Sequence, residues 1–206
     1  MKTRTILTAL GISALLVGTA HASQEQLATG IKEALAEATS TAGQLNGTLA
    51  ALEALTEQTK GDLRPAYENY CSQVTNTQSA AALTQTRIKW MASDGRTYFE
   101  DWQSTVESIA NESLRKKAQK RLDTVKKNYG EVESSLQKAG AEFKPFLADL
   151  TDIQKTLAVD VTAGGVKAVD STVSDAKSHL RSLNKTIKSA LKEMQEMAEM
   201  LSPEAK

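Results

Sequence analysis

VKAVDSTVSDAKSHLRSLNKTIKSALKEMQEMAEML, residues 166–201, decides the fold. Its apolar side chains fall at Val166, Val169, Val173, Ala176, Leu180, Leu183, Ile187, Ala190, Met194, Met197 and Leu201. The steps alternate between three and four residues, and no charge interrupts them. That is a heptad seam, which marks a long helix packed against other long helices.

Three more seams lie upstream. Residues 24–60 carry one through Ile31, Leu35, Ala38, Ala42, Leu45, Leu49, Leu52 and Thr56. Residues 62–109 carry the second, from Tyr67 and Tyr70 through Val74, Thr77, Ala81, Thr84, Ile88 and Met91 to Trp102 and Ile109. Residues 112–158 carry the third, from Ala118 through Leu122, Tyr129, Leu136, Ala139, Phe143 and Phe146 to Leu157. With 165–201, these give four predicted helices. Short connections force neighbouring helices to run antiparallel. The expected fold is all-α: an elongated antiparallel up-down-up-down four-helix bundle with long coiled-coil helices. Its narrow apolar stripes leave room for self-association, so a homo-oligomer is compatible with the pattern.

Local signals punctuate the seams. Gly61 ends the first helix, and Asp62 is placed to cap the second. Asn111 is a suitable N-cap for the third. Ser93-Asp94-Gly95 is a candidate kink. Pro145 removes one helical hydrogen bond and crowds the carbonyl of Ala141, so a bend is expected there, but not a stop. Residues 160–165 read as a turn. Gly164 and Gly165 signal a loop and not a phosphate-binding loop, since no Gly-Lys-Ser/Thr follows.

Residues 1–22 have the pattern of a signal peptide. Lys2 and Arg4 form a basic start, residues 6–17 an apolar run, and Ala20 and Ala22 supply the small residues before a cleavage point. Cleavage after Ala22 would give a periplasmic protein formed by residues 23–206 as a single domain. The run is too short to span a bilayer. The only cysteine is Cys71, so no lipid-modified cysteine stands at that cleavage point. Cys71 lacks an internal disulfide partner; it is a small, partly buried residue, or else the site of an intermolecular disulfide or a reactive thiol.

The chain has 25 Lys and Arg against 25 Asp and Glu. Such a balance does not suggest a nucleic-acid binder. It conceals segregation, however. Arg115, Lys116, Lys117, Lys120, Arg121, Lys126 and Lys127 crowd the start of the third helix. Acids crowd the start of the first (Glu25, Glu33, Glu37) and the end of the fourth (Glu193, Glu196, Glu199, Glu204). An up-down-up-down arrangement puts all three at one end, where the basic face can be answered internally. A second basic stripe, Lys177, Arg181, Lys185, Lys188 and Lys192, runs along one face of the fourth helix. It reads either as a solvated face or as a surface for an anionic partner such as lipid headgroups.

No catalytic constellation is evident. His179, the only histidine beyond residue 22, shares a helix face with Asp175 four residues earlier. One such pair is inadequate for a metal, and no Glu-x-x-His motif supports a di-iron site. No enzymatic activity, cofactor or metal is therefore expected. Trp90, Tyr98, Phe99 and Trp102 form the one concentration of aromatics. Tyr98 and Trp102 are seam residues, whereas Trp90 and Phe99 flank the seam. That pair is either core packing of a wide section or an apolar patch for a partner.

The run from Gly61-Asp62-Leu63 through Asp101-Trp102, Ser113-Leu114-Arg115, Tyr129, Phe143-Lys144-Pro145-Phe146-Leu147 and Asp152 to Leu157 resembles a bacterial family known as domain-of-unknown-function family 2959. The resemblance covers roughly residues 60–200. It implies an exported helical coiled-coil protein and brings neither an activity nor functional residues. The sequence thus points to a structural or interaction protein of the cell envelope with an unidentified envelope partner. The alternative is a periplasmic holdase or a protein peripherally associated with anionic lipid.

Overall fold

The computed structural model describes the backbone of residues 10–58 and 60–202, with side chains from residue 21 onward. Lys2, Arg4 and the start of the expected export signal, and Glu204 of the acidic cluster, lie outside the described residues. Among those described, the chain is all-α and contains five helices. They are α1 (Leu10–Glu57), α2 (Arg64–Glu107), α3 (Glu112–Val159), α4 (Ala163–Ala168) and α5 (Asp170–Leu201). None is long and apolar enough to cross a membrane.

The helix boundaries follow local chemistry. Gly61 takes φ +90°, the left-handed conformation that glycine adopts without steric cost, and turns the chain out of α1. Pro65 sits in the first turn of α2, where its missing donor is harmless. Asp62 Oδ1 accepts from the Arg64 amide at 3.0 Å, just ahead of the helix. Asn111 caps α3 by accepting from the Leu114 amide at 3.0 Å. Neither Ser93-Asp94-Gly95 nor Pro145 stops its helix; α2 and α3 run through them.

The fourth expected helix divides. Thr162 caps α4 through the Gly165 amide at 3.3 Å, and the chain then restarts as α5 after Val169. Gly164 and Gly165 therefore lie inside a short helix and not in a loop. At Gly165 the reason is steric: a Cβ would collide with the Asp160 carbonyl.

The long helices pack side by side. α1 lies against α2 and α5, and α3 lies against α2 and α5. Every one of these contacts is antiparallel. Along α1 and α2, Gln26 meets Asp94, Glu33 meets Arg87, Thr41 meets Thr84 and Thr48 meets Thr77. Along α2 and α3, Tyr67 meets Gln154, Tyr70 meets Leu150 and Gln103 meets Gln119. Asn184 of α5 reaches Asn46 of α1, and His179 reaches Asp149 of α3. At 48 residues, α3 is about 72 Å long.

The seams of α3 and α5 are buried almost position for position, whereas half of the α1 seam is displaced. Ile31, Ala38, Leu45 and Leu52 are buried as expected. Between them the core takes Ala34, Thr41, Thr48 and Leu55, each one residue before the expected Leu35, Ala42, Leu49 and Thr56. The polar residues are tolerated inside because each finds a partner. The Thr48 and Thr77 hydroxyls lie 2.7 Å apart, and Thr41 and Thr84 lie 2.8 Å apart. Hydrophobicity alone favours Leu35 over Ala34 and Leu49 over Thr48; hydrogen bonding across the α1–α2 contact favours Thr41 and Thr48, and Leu55 follows in the same register.

Candidate functional site

The buried side chains form two clusters at opposite ends of the molecule. One contains Leu27, Met91, Phe99, Leu122, Tyr129 and Met197. The other contains Leu52, Tyr70, Phe146, Leu150, Ile153 and Leu180. Between them the α2–α3 contact opens. No residue of α2 is buried between Thr77 and Met91, and none of α3 between Leu136 and Phe146. The heptad phase continues through this stretch, but its seam residues Ala81, Thr84 and Ala139 are small, and the larger Ile88 and Phe143 stay half-exposed.

The result is a groove of about 710 Å³, a volume typical of small-molecule sites. Its banks are exposed: Gln78, Gln85 and Lys89 on α2, and Gln137, Gly140 and Lys144 on α3. Its floor is apolar and comes from the far pair of helices, with Ala38 and Leu45 from α1 and Leu183, Ile187 and Ala190 from α5. Ile88, Leu136 and Phe143 line its walls.

Tyrosine struts set the two ends of the groove. At one, Tyr129 of α3 donates from its hydroxyl to the Met91 carbonyl of α2 at 3.0 Å. Gly95 makes this approach feasible, since a Cβ there would stand 2.5 Å from the Tyr129 hydroxyl. At the other, Tyr70 donates to the Leu150 carbonyl at 2.7 Å and Tyr67 to the Gln154 carbonyl at 3.0 Å. Burial pushes the phenols of Tyr70 and Tyr129 well above the ordinary range, so both remain donors over the physiological range. Sequence reading missed the groove. A signal was present in the run of small residues at Ala80, Ala81 and Ala82, facing Ala139, Gly140 and Ala141.

The residues singled out from sequence are scattered elsewhere. Trp90 is 55% exposed, with the Arg87 guanidinium 5.0 Å from its ring centre. Arg87 also pairs with Glu33 at 2.8 Å, so one face of the ring meets a guanidinium held within the chain while most of Trp90 stays exposed. Phe99 does not join it. It is only 7% exposed and packs against Tyr98 and Tyr129, with ring centres 5.1 and 5.4 Å away. The Trp90–Phe99 pair is thus no shared apolar patch: the side chains leave α2 on different faces, one into the core.

The α5 stripe is partly paired. Lys177 meets Glu53 of α1 at 2.9 Å, and Lys192 meets Glu196 at 3.4 Å. Arg181, Lys185 and Lys188 are exposed and form no ion pair with the described residues. The contact between Asn184 and Asn46 sets this section of α5 against residues 38–52 of α1, which carry no charge. The basic start of α3 does lie at the same end as the acidic segments, but its pairs are local. Lys116 meets Glu112, and Lys127 meets Glu131, both within α3. No ion pair from this face to α1 or α5 exists among the described residues; the internal answer expected from sequence is absent there.

His179 has a different partner from the one its helix spacing indicated. Its Nδ1 lies 2.6 Å from Asp149 Oδ2 on α3, and not beside Asp175. No group of three or more metal-ligating side chains occurs among the described residues. Cys71 is half-buried and unbridged.

No curated protein and no solved structure matches the chain. A family model does, described as "Protein of unknown function (DUF2959)" and matching residues 17–201. Since that match spans nearly all of the helical assembly that forms the groove, the chain belongs to the DUF2959 family.

Proposed function

We propose that this is a non-enzymatic binding protein of the bacterial cell envelope. In this reading its four long helices close into one up-down-up-down coiled-coil bundle, exported by residues 1–22 and released after Ala22. The observation that carries it is the groove between α2 and α3. At the two ends of the α2–α3 contact large apolar side chains fill the space between the helices; here the fold leaves an apolar volume between two hydrogen-bonded struts. An unfilled core section sacrifices packing and persists where something else occupies it.

The test is native mass spectrometry of the tagged full chain recovered from an envelope fraction. The expected result is a non-covalent adduct on the wild-type protein that is lost on Gly140→Trp. A chain that is retained in the cytoplasm overturns the envelope assignment, and a chain that carries no adduct overturns the binding reading.

A second reading is a protein held at an anionic surface by the middle of the α5 stripe. It is supported by exposed, unpaired Arg181, Lys185 and Lys188 opposite an uncharged stretch of α1. Charge reversal at those three positions should release the protein from vesicles of anionic lipid; undiminished binding refutes this reading.

A further inference from the structure

We propose that the α2–α3 groove holds one long acyl chain carrying an anionic head, an inference that rests on the binding reading above and names its ligand class. The depth of the groove favours a slender occupant. It passes between α2 and α3 to a floor made by α1 and α5. A helix, about 10–12 Å across with its side chains, is too thick to enter and would lie on the banks without covering the half-exposed Ile187 of the floor. A polymethylene chain is thin enough to reach it and to lie against the half-exposed Ile88 and Phe143 of the walls. Length agrees: the α2 wall spans residues 78–92, about 21 Å at the helical rise, which suits a long acyl chain and exceeds a short one.

Charge placement assigns the head. The lining contains three charged residues: Lys89, Glu133 and Lys144. Because α2 and α3 run antiparallel, Lys89 and Glu133 stand at the same end of the groove, near the Tyr129–Met91 strut. They offset one another in the field that a ligand meets. Lys144 stands at the opposite end, toward Tyr70 and Leu150, with Gln78 facing it and no acid in the lining there. It has no ion-pair partner among the described residues. An anionic head placed at Lys144 leaves the chain to run toward Met91 over the apolar floor, and the Gln85 and Gln137 amides stay on the wet banks. A chain lying this way leaves neither a buried charge nor an unsatisfied polar group, the two features that penalise burial most.

The experiment uses the delipidated full chain, titrated with palmitate at monomeric concentration and compared with octanoate and with uncharged 1-palmitoylglycerol. Palmitate is expected to bind one per chain. Octanoate should bind at least a hundredfold more weakly, since each buried methylene contributes about fourfold in affinity. Removing the charge, or introducing Lys144→Glu, should weaken binding about tenfold; Lys89→Glu should matter less. Ala139→Trp fills the groove but risks overpacking. Gly140→Trp is the second variant, because a Cβ at Gly140 meets no atom within 4 Å. Either variant, with helical content intact by circular dichroism, should reduce palmitate binding at least tenfold.

Failure of palmitate to bind overturns the acyl assignment, as does equal binding by folded Gly140→Trp. Equal affinity for 1-palmitoylglycerol and palmitate overturns the anionic head. A groove occupied by a second copy would give a dimer that Gly140→Trp dissolves, which also overturns the proposal. If palmitate fails while the envelope-derived protein still carries a different adduct lost on Gly140→Trp, the ligand class falls and the binding reading stands.

Discussion

The two ends of this molecule and its middle share one heptad phase, yet the ends are closed and the middle is open. At the ends, Phe146, Leu150, Tyr70 and Leu180, or Met91, Phe99, Tyr129 and Met197, are large enough to meet at the centre. In the middle, three positions of the same phase are the small Ala81, Thr84 and Ala139, Ile88 and Phe143 are only half-buried, and α2 and α3 part around a groove. Periodicity therefore reports which way a side chain points, and volume reports whether the space is filled. A helix pair can satisfy the first without the second.

The sharpest way to break the contrast is to truncate one aromatic from each region of α3. Phe146 is fully buried in a closed end, whereas Phe143, one turn earlier, is half-buried on the groove wall. Phe146→Ala should cost about 3–5 kcal/mol in urea unfolding, combining lost burial with a new cavity. Phe143→Ala should cost about 1 kcal/mol, because its space is already open to solvent. Equal losses would show that the middle is as well packed as the ends.

Next in size is the strut at Gly95. Gly95→Ala inserts a methyl group 2.5 Å from the Tyr129 hydroxyl, which must shift and strain its bond to the Met91 carbonyl. Overpacking of this kind costs about 1–3 kcal/mol, and the helix preference of alanine returns up to about 1. A net destabilisation of about 1–2 kcal/mol is expected. The same change at Gly140, in the open middle, should be neutral or stabilising.

The remaining effect is alkaline. Burial holds the Tyr98 phenol above its ordinary value of 10.0, at about 12, with Arg121 drawing it partly back. Below pH 10 the phenol is protonated in folded and unfolded chains alike, and its contribution is fully present. Between pH 10 and about 12 only the unfolded chain loses the proton, so stability falls as pH rises through that window. The loss from this residue reaches about 2 kcal/mol by pH 11.5 and at most about 3 kcal/mol over the whole window. Unfolding at pH 9 and pH 11.5 should show it, and Tyr98→Phe should lessen the loss by this residue's share while the buried Tyr70 and Tyr129 keep the rest. Phenols confined to the closed ends make those ends the alkali-sensitive part of the fold.

Much of the architecture was legible from residue pattern. The seams of α3 and α5, the Asn111 cap, the Gly61 turn and the continuity of α3 through Pro145 all follow from local chemistry that acts within a few residues. The break at Val169 was not legible. Nor was half of the α1 register, because Leu35 outranks the buried Ala34 and Leu49 the buried Thr48 on any hydrophobic scale, while the hydroxyl partners of Thr41 and Thr48 lie on another helix. The candidate residues Trp90 and Phe99 looked alike in sequence and separated in space.

The amino-acid sequence alone determined that the chain forms long amphipathic helices, roughly where they begin and end, and that their seams would be used for packing. Those properties depend on capping, turn geometry and the period of the helix. Tertiary structure decided which side chains meet. It joined His179 to Asp149, placed Tyr129 against Gly95, left Arg181, Lys185 and Lys188 without an ion pair among the described residues, and opened the α2–α3 groove. Each depends on distances between residues on different helices, and a groove in particular is a deficit of volume summed over four helices.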